Sequence, residues 1–210
     1  MRILAILILY NPDEKITLKI KEYANIFDFL FIWDNSAFIL PGIKQVIKKS
    51  SNLLYNSYKV NIGLSSAYNK GIKYAKENKY DIIATLDQDS SFENLDKLIM
   101  FSKYYLKTHK SILGVDYRIN RPLQGIELLP CDWVINSGLF ISIDTINSIG
   151  GYNELFFVDG VDMELCLRAR NANIFSYIFT GSNINQIYGE LQSIKLFNKQ
   201  FTFRVYSPSR

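Results

Sequence analysis

The stretch that most constrains this chain is 80–91, Tyr-Asp-Ile-Ile-Ala-Thr-Leu-Asp-Gln-Asp-Ser-Ser. Residues 82–86 form a short apolar run with the length and β-branched content of a buried strand, and the run ends in two carboxylates, Asp87 and Asp89. Strand periodicity aims these two carboxylates the same way, and in an open α/β sheet ligands collect outside the carboxyl ends of the strands. Hard cations such as Mg²⁺ or Mn²⁺ take oxygen ligands from one or two carboxylates and complete their shell with substrate phosphates. Asp87, Asp89 and Ser90 equally suit a turn and cap before a helix starting near Asn94, so the short motif alone leaves both readings open.

The residues before this stretch repeat its pattern. A first strand, 3–9, is stopped by Tyr10-Asn11-Pro12, and Pro12 and Asp13 open a helix to about Asn25. A second strand, 29–33, ends at Asp34-Asn35-Ser36. A Pro-Gly turn at Pro41 and Gly42 then leads a helix over 43–49, followed by a short strand at 53–56. Residues 61–66 read as a loop, and 67–78 as a helix that turns Ala67, Ile72 and Ala75 inward. Strands alternating with helices through short links predict a doubly wound, mainly parallel α/β sheet. In such a sheet Tyr10 and Asn11, Asp34, the 61–66 loop and Asp87 with Asp89 all follow strands, so they converge on one edge. That edge suits a nucleotide: Asp34 would accept from a base or ribose, Asn61 and Gly63 would let the backbone approach, and Asp87 and Asp89 would hold an ion on a diphosphate.

The second half is read the same way. A helix over 95–107 precedes a strand at 112–117, and 118–130 is irregular, with Arg121-Pro122 and Gly125 as breakers, which suggests an acceptor-side loop or hairpin. Strand patterning resumes over 132–142, where Gly138 marks a bulge or a ligand lying close to the backbone. A helix over 144–149 stops at Gly150-Gly151. Asp159, Asp162 and Glu164 then precede or open a helix whose inward face is Leu165, Leu167 and Ala169 or their neighbours. Acids in a first helical turn stabilise it by about 0.3 to 1 kcal/mol each. A carboxylate beside the apolar Phe156, Phe157 and Val158 also gains proton affinity by desolvation, as a general base requires. The chemistry by itself favours neither.

Composition sets the outer bounds. With 210 residues, 48% hydrophobic and 21% charged, the chain is long enough to bury a full core as one domain. Cys131 and Cys166 lack Cys-x-x-Cys spacing and His109 is the sole histidine, so neither a zinc site nor a disulfide framework is supported, and a reducing cytosolic compartment fits best. The net charge of +4 is unevenly spread: no acid lies between Asp34 and Glu77, while Lys44, Lys48, Lys49, Lys59, Lys70, Lys73 and Lys76 do. Such a cluster concentrates anions. No nucleic-acid motif accompanies it, which favours solvated helix faces or a small phosphate-bearing ligand. Residues 3–10 behind Arg2 are apolar enough for a signal peptide, but they run into Asn-Pro-Asp without a small-residue cleavage site and read as a buried strand. No stretch approaches the roughly 18 apolar residues of a membrane-spanning helix.

Taken in order, several short motifs are similar to those of one family. They are Leu-Tyr-Asn-Pro at 9–12, Trp-Asp-Asn-Ser at 33–36, Asn-Ile-Gly-Leu-Ser-Ser-Ala-Tyr-Asn-Lys-Gly at 61–71 and Asp-Gln-Asp-Ser at 87–90. Asn-Ser-Gly at 136–138, Gly-Gly-Tyr-Asn-Glu at 150–154 and Asp-Gly-Val-Asp-Met-Glu-Leu-Cys-Leu-Arg at 159–168 complete the set. In these the chain resembles family 2 inverting glycosyltransferases of the GT-A fold, in the rhamnosyltransferase-like branch that builds bacterial surface polysaccharides. The resemblance implies a single GT-A domain over 1–210, with a nucleotide-sugar half at 1–110 and an acceptor half at 111–210. It implies transfer of a rhamnose-like or other hexose from a dTDP- or UDP-linked donor to a saccharide or lipid-linked saccharide hydroxyl, with inversion and with Mg²⁺ or Mn²⁺. Carried over by position, Tyr10, Asn11, Asp34, Asn61, Gly63, Asn69 and Asp87 would bind the donor. Asp87 and Asp89 would hold the metal, Asp89 most directly. Asp162 would be the catalytic base, and Gly138, Asp159 and Glu164 would support acceptor or base. The location implied is cytoplasmic, peripheral at the inner face of the membrane, with no nucleic-acid partner.

Many relatives carry a histidine where this chain reads Asn185-Gln186-Ile187-Tyr188-Gly189, and they continue past a Ser-Pro-x-Arg like that at 207–210. The resemblance therefore implies a chain shortened at its C-terminus or completed by a partner subunit. Two other readings stand beside it. A sugar nucleotidyltransferase would need a Gly-rich, Arg- or Lys-bearing loop after the first strand, which Tyr10-Asn11-Pro12-Asp13 is not. A degenerate nucleotide-sugar-binding domain without turnover is favoured by Gln186 and opposed by Asp87, Asp89 and Asp162.

Overall fold

The computed structural model describes residues 1–117, 127–186, 190–196 and 199–205. In chain order these form β1 (Ile3–Leu9), α1 (Ile16–Ile26), β2 (Phe29–Asp34), α2 (Pro41–Lys49), β3 (Leu53–Ser57), α3 (Leu64–Glu77) and β4 (Ile82–Asp87). There follow β5 (Ser90–Glu93), α4 (Leu95–Tyr105), β6 (Ser111–Asp116), β7 (Leu128–Cys131), β8 (Leu139–Ser142) and α5 (Ile143–Ser148). The last elements are α6 (Val161–Asn171), β9 (Phe175–Gln186), β10 (Glu190–Leu196) and β11 (Lys199–Val205).

One nine-stranded sheet runs β3-β2-β1-β4-β8-β6-β9-β5, with β7 added on β9, while β10 and β11 make a separate hairpin-like pair. The first four strands are parallel, β8 runs against both β4 and β6, and β6 is again parallel to β9. This is the mixed α/β architecture expected, with its parallel block leading and its antiparallel strands on the second-half side.

The central strand explains the layering. All seven residues of β1 are buried, and alternate ones enter different cores. Ile3, Ala5, Leu7 and Leu9 pack with Ile16, Ile20 and Tyr23 of α1 and with Ile43 and Val46 of α2. Leu4, Ile6 and Ile8 pack with Ala67, Tyr68, Ile72 and Ala75 of α3 on the other face. A parallel strand covered on both faces must be apolar throughout, which is why it reads as a continuous run instead of an alternating one.

Several boundaries differ from expectation for identifiable reasons. α1 begins at Ile16, not Pro12, because the Asp13 carboxylate accepts the Lys15 amide in a local turn. α3 begins at Leu64, not Ala67: Gly63, at φ +82°, breaks the chain, and the Leu64 amide donates to the distant carbonyl of Phe157 at 2.7 Å. Ser90, for which a turn-and-cap reading was left open, begins β5 (90–93), which pairs with the end of β9, and α4 begins beside Asn94 as expected. The strand expected over 132–142 is present only as β8, and β7 (128–131) takes in the last three residues of the 118–130 segment expected to be irregular. Residues 118–126 of that segment lie outside the described residues. On α6 the buried residues are Val161, Leu165, Cys166 and Ala169, whereas Leu167 is exposed. β9 to β11 fall in a stretch from which no strand was read.

Candidate active site

The register of the parallel block decides what can meet. Ile8 lies opposite Asp87, Leu9 opposite Asp34, and Asp34 opposite Ser57, so β4, β1, β2 and β3 end side by side. The chain segments that follow those strands form one edge, as the sequence pattern anticipates.

On the β2 side, Asp34 is fully buried. One carboxylate oxygen accepts the Tyr55 hydroxyl at 2.5 Å and the other accepts the Ser36 amide at 2.8 Å. Burial, then the hydrogen bond to Asp34, pushes the Tyr55 hydroxyl far above its usual range, so it stays protonated and donates. Asn35 ties this corner to the next loop: its side-chain oxygen accepts from Trp33 Nε1 and the Ile62 amide, and its nitrogen donates to the Gly63 carbonyl. Asn61 accepts the Gly63 amide at 2.9 Å, which shapes the loop ahead of α3.

At the end of β1, the Tyr10 and Asn11 backbones are held from both sides. The Asn11 amide donates to Ser36 Oγ at 2.7 Å, and the Gln88 side-chain amide both accepts from Tyr10 N and donates to Tyr10 O. Beneath the 87–90 turn, Lys19 Nζ donates to the carbonyls of Gln88 and Ser90 at 2.9 and 2.5 Å. Burial lowers the Lys19 proton affinity, while Asp89 above all, and then Glu22, Asp13 and Asp87, act to raise it.

The second half reaches this edge through Tyr152, packed against α3, and through α6. Tyr68 of α3 stacks on Tyr152, ring centroids 4.8 Å apart, and its hydroxyl makes a long 3.4 Å bond to Asp87. Tyr152 donates to Asn136 Oδ1 at 3.1 Å. Both tyrosines are buried, and desolvation raises their proton affinity well above normal. The charges of Asp87 and Asp162 add to that rise in each, so the two carboxylates share one aromatic pair. Asp162 lies in the first turn of α6 behind Gly160, whose φ of +73° starts the helix, and accepts the Met163 amide at 2.9 Å.

Not every anticipated residue joins this site. Asn69 is occupied by a latch: it accepts the Tyr152 amide, donates to the Tyr152 carbonyl and donates to Glu154, each within 2.9 Å. Glu164 clasps Arg168 through both oxygens at 2.7 and 2.8 Å, and Arg168 also donates to the Ile149 carbonyl. Asp159 is exposed ahead of α6. Gly138, at φ +83°, starts β8 with its amide donating to the Thr85 carbonyl at 2.7 Å, and an added Cβ would lie 2.7 Å from Val115 and 2.9 Å from Phe92. Both its positive φ and this close packing hold the position to glycine. Gln186 lies in β9, and Ile187, Tyr188 and Gly189 fall outside the described residues. Sequence reasoning passed over Gln88, Lys19, Tyr55 and Tyr68, each of which acts through a partner at least nineteen positions away. Among the described residues no three His, Cys, Asp or Glu side chains gather around a point. Asp87 ends β4 and Asp89 follows it by two positions, so the two carboxylates stand on the turn between β4 and β5. Two carboxylates suit a cation whose remaining ligands come from a diphosphate.

No family model matches the chain. Its sequence is 26% identical over 230 residues to the dTDP-rhamnosyl transferase RfbF of Shigella flexneri, an alignment covering 99% of this chain and 75% of that protein. Its fold is similar to GalNAc-T7 solved with UDP, GalNAc and Mn²⁺, at TM-score 0.69 and 12% identity over 90% of this chain and 44% of that one. It is also similar to TarS of S. aureus, at TM-score 0.61 and 15% identity over 90% of this chain and 37% of that one. The chain thus spans less than half the length of these two solved proteins. Likeness in sequence along nearly the whole chain and likeness in fold point the same way: the fold is that of GT-A glycosyltransferases, and the sequence is similar to that of a dTDP-rhamnosyl transferase.

Proposed function

We propose that the chain transfers a sugar, rhamnose or a related hexose, from a dTDP- or UDP-linked donor to a saccharide hydroxyl, with inversion, in surface polysaccharide synthesis. The observation that carries this reading is the sharing of the Tyr68–Tyr152 pair by Asp87, at a strand end, and Asp162, on a helix from the other half of the chain. The donor nucleotide lies along the edge formed by Tyr10, Asn11, Asn61 and Gly63. Asp34, with both oxygens engaged inside the protein, shapes that edge through Ser36 and Tyr55. The diphosphate faces Asp87 and Asp89, the residues that would hold a divalent ion. Such an ion, when bound, supplies positive charge to the departing diphosphate.

Asp162 is the base. The acceptor oxygen bonds to the anomeric carbon and its proton passes to the Asp162 carboxylate, while the bond to the diphosphate oxygen breaks with its electron pair leaving on the diphosphate. A base on one side and a leaving group on the other give inversion. Beside Asp162, Leu155, Phe156, Phe157 and Val158 are exposed, an apolar surface suited to a lipid-linked acceptor and to peripheral contact with a membrane.

Thermal shifts with dTDP and UDP, with and without Mn²⁺, test the reading on wild type, Asp89→Ala and Asp162→Asn. The expected result is a metal-dependent rise with one nucleotide, lost in Asp89→Ala and kept in Asp162→Asn. Transfer to a saccharide acceptor should fall by about 10²-fold or more in Asp162→Asn. A wild-type chain that responds to neither nucleotide overturns it.

A further inference from the structure

The β1–β4 ladder ends at Ile8 opposite Asp87. Beyond that pair the two chains diverge, yet Tyr10 is not left without a partner across the gap. Its amide donates to Gln88 Oε1 at 2.8 Å and its carbonyl accepts from Gln88 Nε2 at 3.0 Å. A side-chain amide has taken over the two hydrogen bonds that a continuing strand would have made. From the other face, Lys19 Nζ fixes the Gln88 carbonyl at 2.9 Å and, with the Tyr23 hydroxyl at 3.0 Å, the Ser90 carbonyl. Gln88 is therefore pinned at side chain and main chain both, and it stands between Asp87 and Asp89.

We propose that Gln88 is a positioning residue for the metal-and-diphosphate site: its clasp on Tyr10 sets the relative placement of the Asp87 and Asp89 carboxylates before any ligand arrives. The inference rests on the reading of those carboxylates given above. The chemistry of the clasp narrows the residue to an amide of this length. Glutamate accepts from Tyr10 N but cannot donate to Tyr10 O, lysine only donates, and asparagine is one methylene short. A clasped turn binds its ligand without ordering two carboxylates at that moment, and residues that orient metal ligands characteristically govern affinity more than fold.

The test is Gln88→Met, which keeps the length and removes both hydrogen bonds. Melting temperature without ligand is measured first. The Mn²⁺ concentration that half-saturates the shift produced by the responding diphosphate, dTDP or UDP, follows. The half-saturating Mn²⁺ should rise about tenfold or more, the scale seen when a ligand-orienting group is lost. The unliganded melting temperature should stay within a few degrees of wild type. Should Gln88→Met fold too poorly to measure, Gln88→Asn carries the same test, since it keeps the amide and shortens its reach. Unchanged Mn²⁺ half-saturation in the folded variant, whatever its melting temperature, overturns the inference and leaves the proposed function standing. A wild-type chain with no diphosphate response at any Mn²⁺ concentration removes both.

Discussion

Asp162 and Glu164 sit two positions apart in the first turn of α6 and have different employment. Asp162 bonds only its neighbour's amide among its described hydrogen bonds and faces the buried tyrosine pair through its charge. Glu164 is a bracket: both oxygens grip Arg168, which reaches the Ile149 carbonyl at the end of α5. The Arg168 hydrogen bond holds the Glu164 carboxyl below its ordinary 4.5, against a smaller opposing effect of burial. A depressed folded value means that the stabilisation is complete above about 4.5 and drains away as pH falls through the lower folded value. Glu164→Gln should therefore lower the melting temperature at pH 7 by about 2 to 4 °C, as a loss near 1 kcal/mol does in a chain of this size. Scanning fluorimetry from pH 7 downward should show the gap between variant and wild type closing in acid. A gap that persists at full size there would assign the role of Glu164 to packing.

At the scale of elements, the N-terminal turn of α3 is capped by the other half of the chain. Phe157 O accepts the Leu64 amide, Phe156 O accepts the Ser65 hydroxyl at 2.6 Å, and Glu154 accepts Ser66 and Asn69. Side chains and carbonyls of 152–157 thus do what a local N-cap residue would otherwise do. Gly63 permits it twice over: its φ is +82°, and an added Cβ would lie 2.7 Å from the Phe157 ring and 2.8 Å from the Phe157 carbonyl oxygen. Gly63→Ala should cost about 2 kcal/mol or more, the sum of a left-handed conformation at roughly 1–2 kcal/mol and displacement of a packed backbone segment. Nucleotide affinity should fall with it, since the Asn61–Gly63 loop belongs to the proposed donor edge. Urea unfolding and nucleotide titration of the one variant check both, and wild-type values in both would show that the loop tolerates a side chain there.

For the whole molecule, the sheet is the argument for unity. β8, from the second half, lies between β4 of the first half and β6, and buried Thr85 of β4 hydrogen-bonds the Asn136 carbonyl ahead of β8. Two parts of the chain that share a sheet should unfold together. The two tryptophans report one each: Trp33 is buried in β2, and Trp133 lies partly exposed before β8. In Trp133→Phe and Trp33→Phe the remaining tryptophan's fluorescence should track the circular dichroism of that same variant through urea unfolding, with coincident midpoints. Separate transitions in either variant would divide the chain into two folding units.

Residues 3–9 and 82–86 were legible as central strands because a strand buried on both faces leaves an unbroken apolar run, and the segments ending in Asp34, Gly63 and Asp87 were legible as an edge because parallel strands end together. Those are local patterns, and hydrophobic burial enforces them wherever the chain turns. The employment of the polar side chains was decided elsewhere. Asn69 was expected at the donor and is taken by Tyr152 and Glu154, Glu164 was expected to support acceptor or base and is taken by Arg168, and Gln88, unremarked between two aspartates, holds Tyr10. A hydrogen bond acts over about 3 Å and its partner need not be near in sequence, so only the folded chain brings the two ends together.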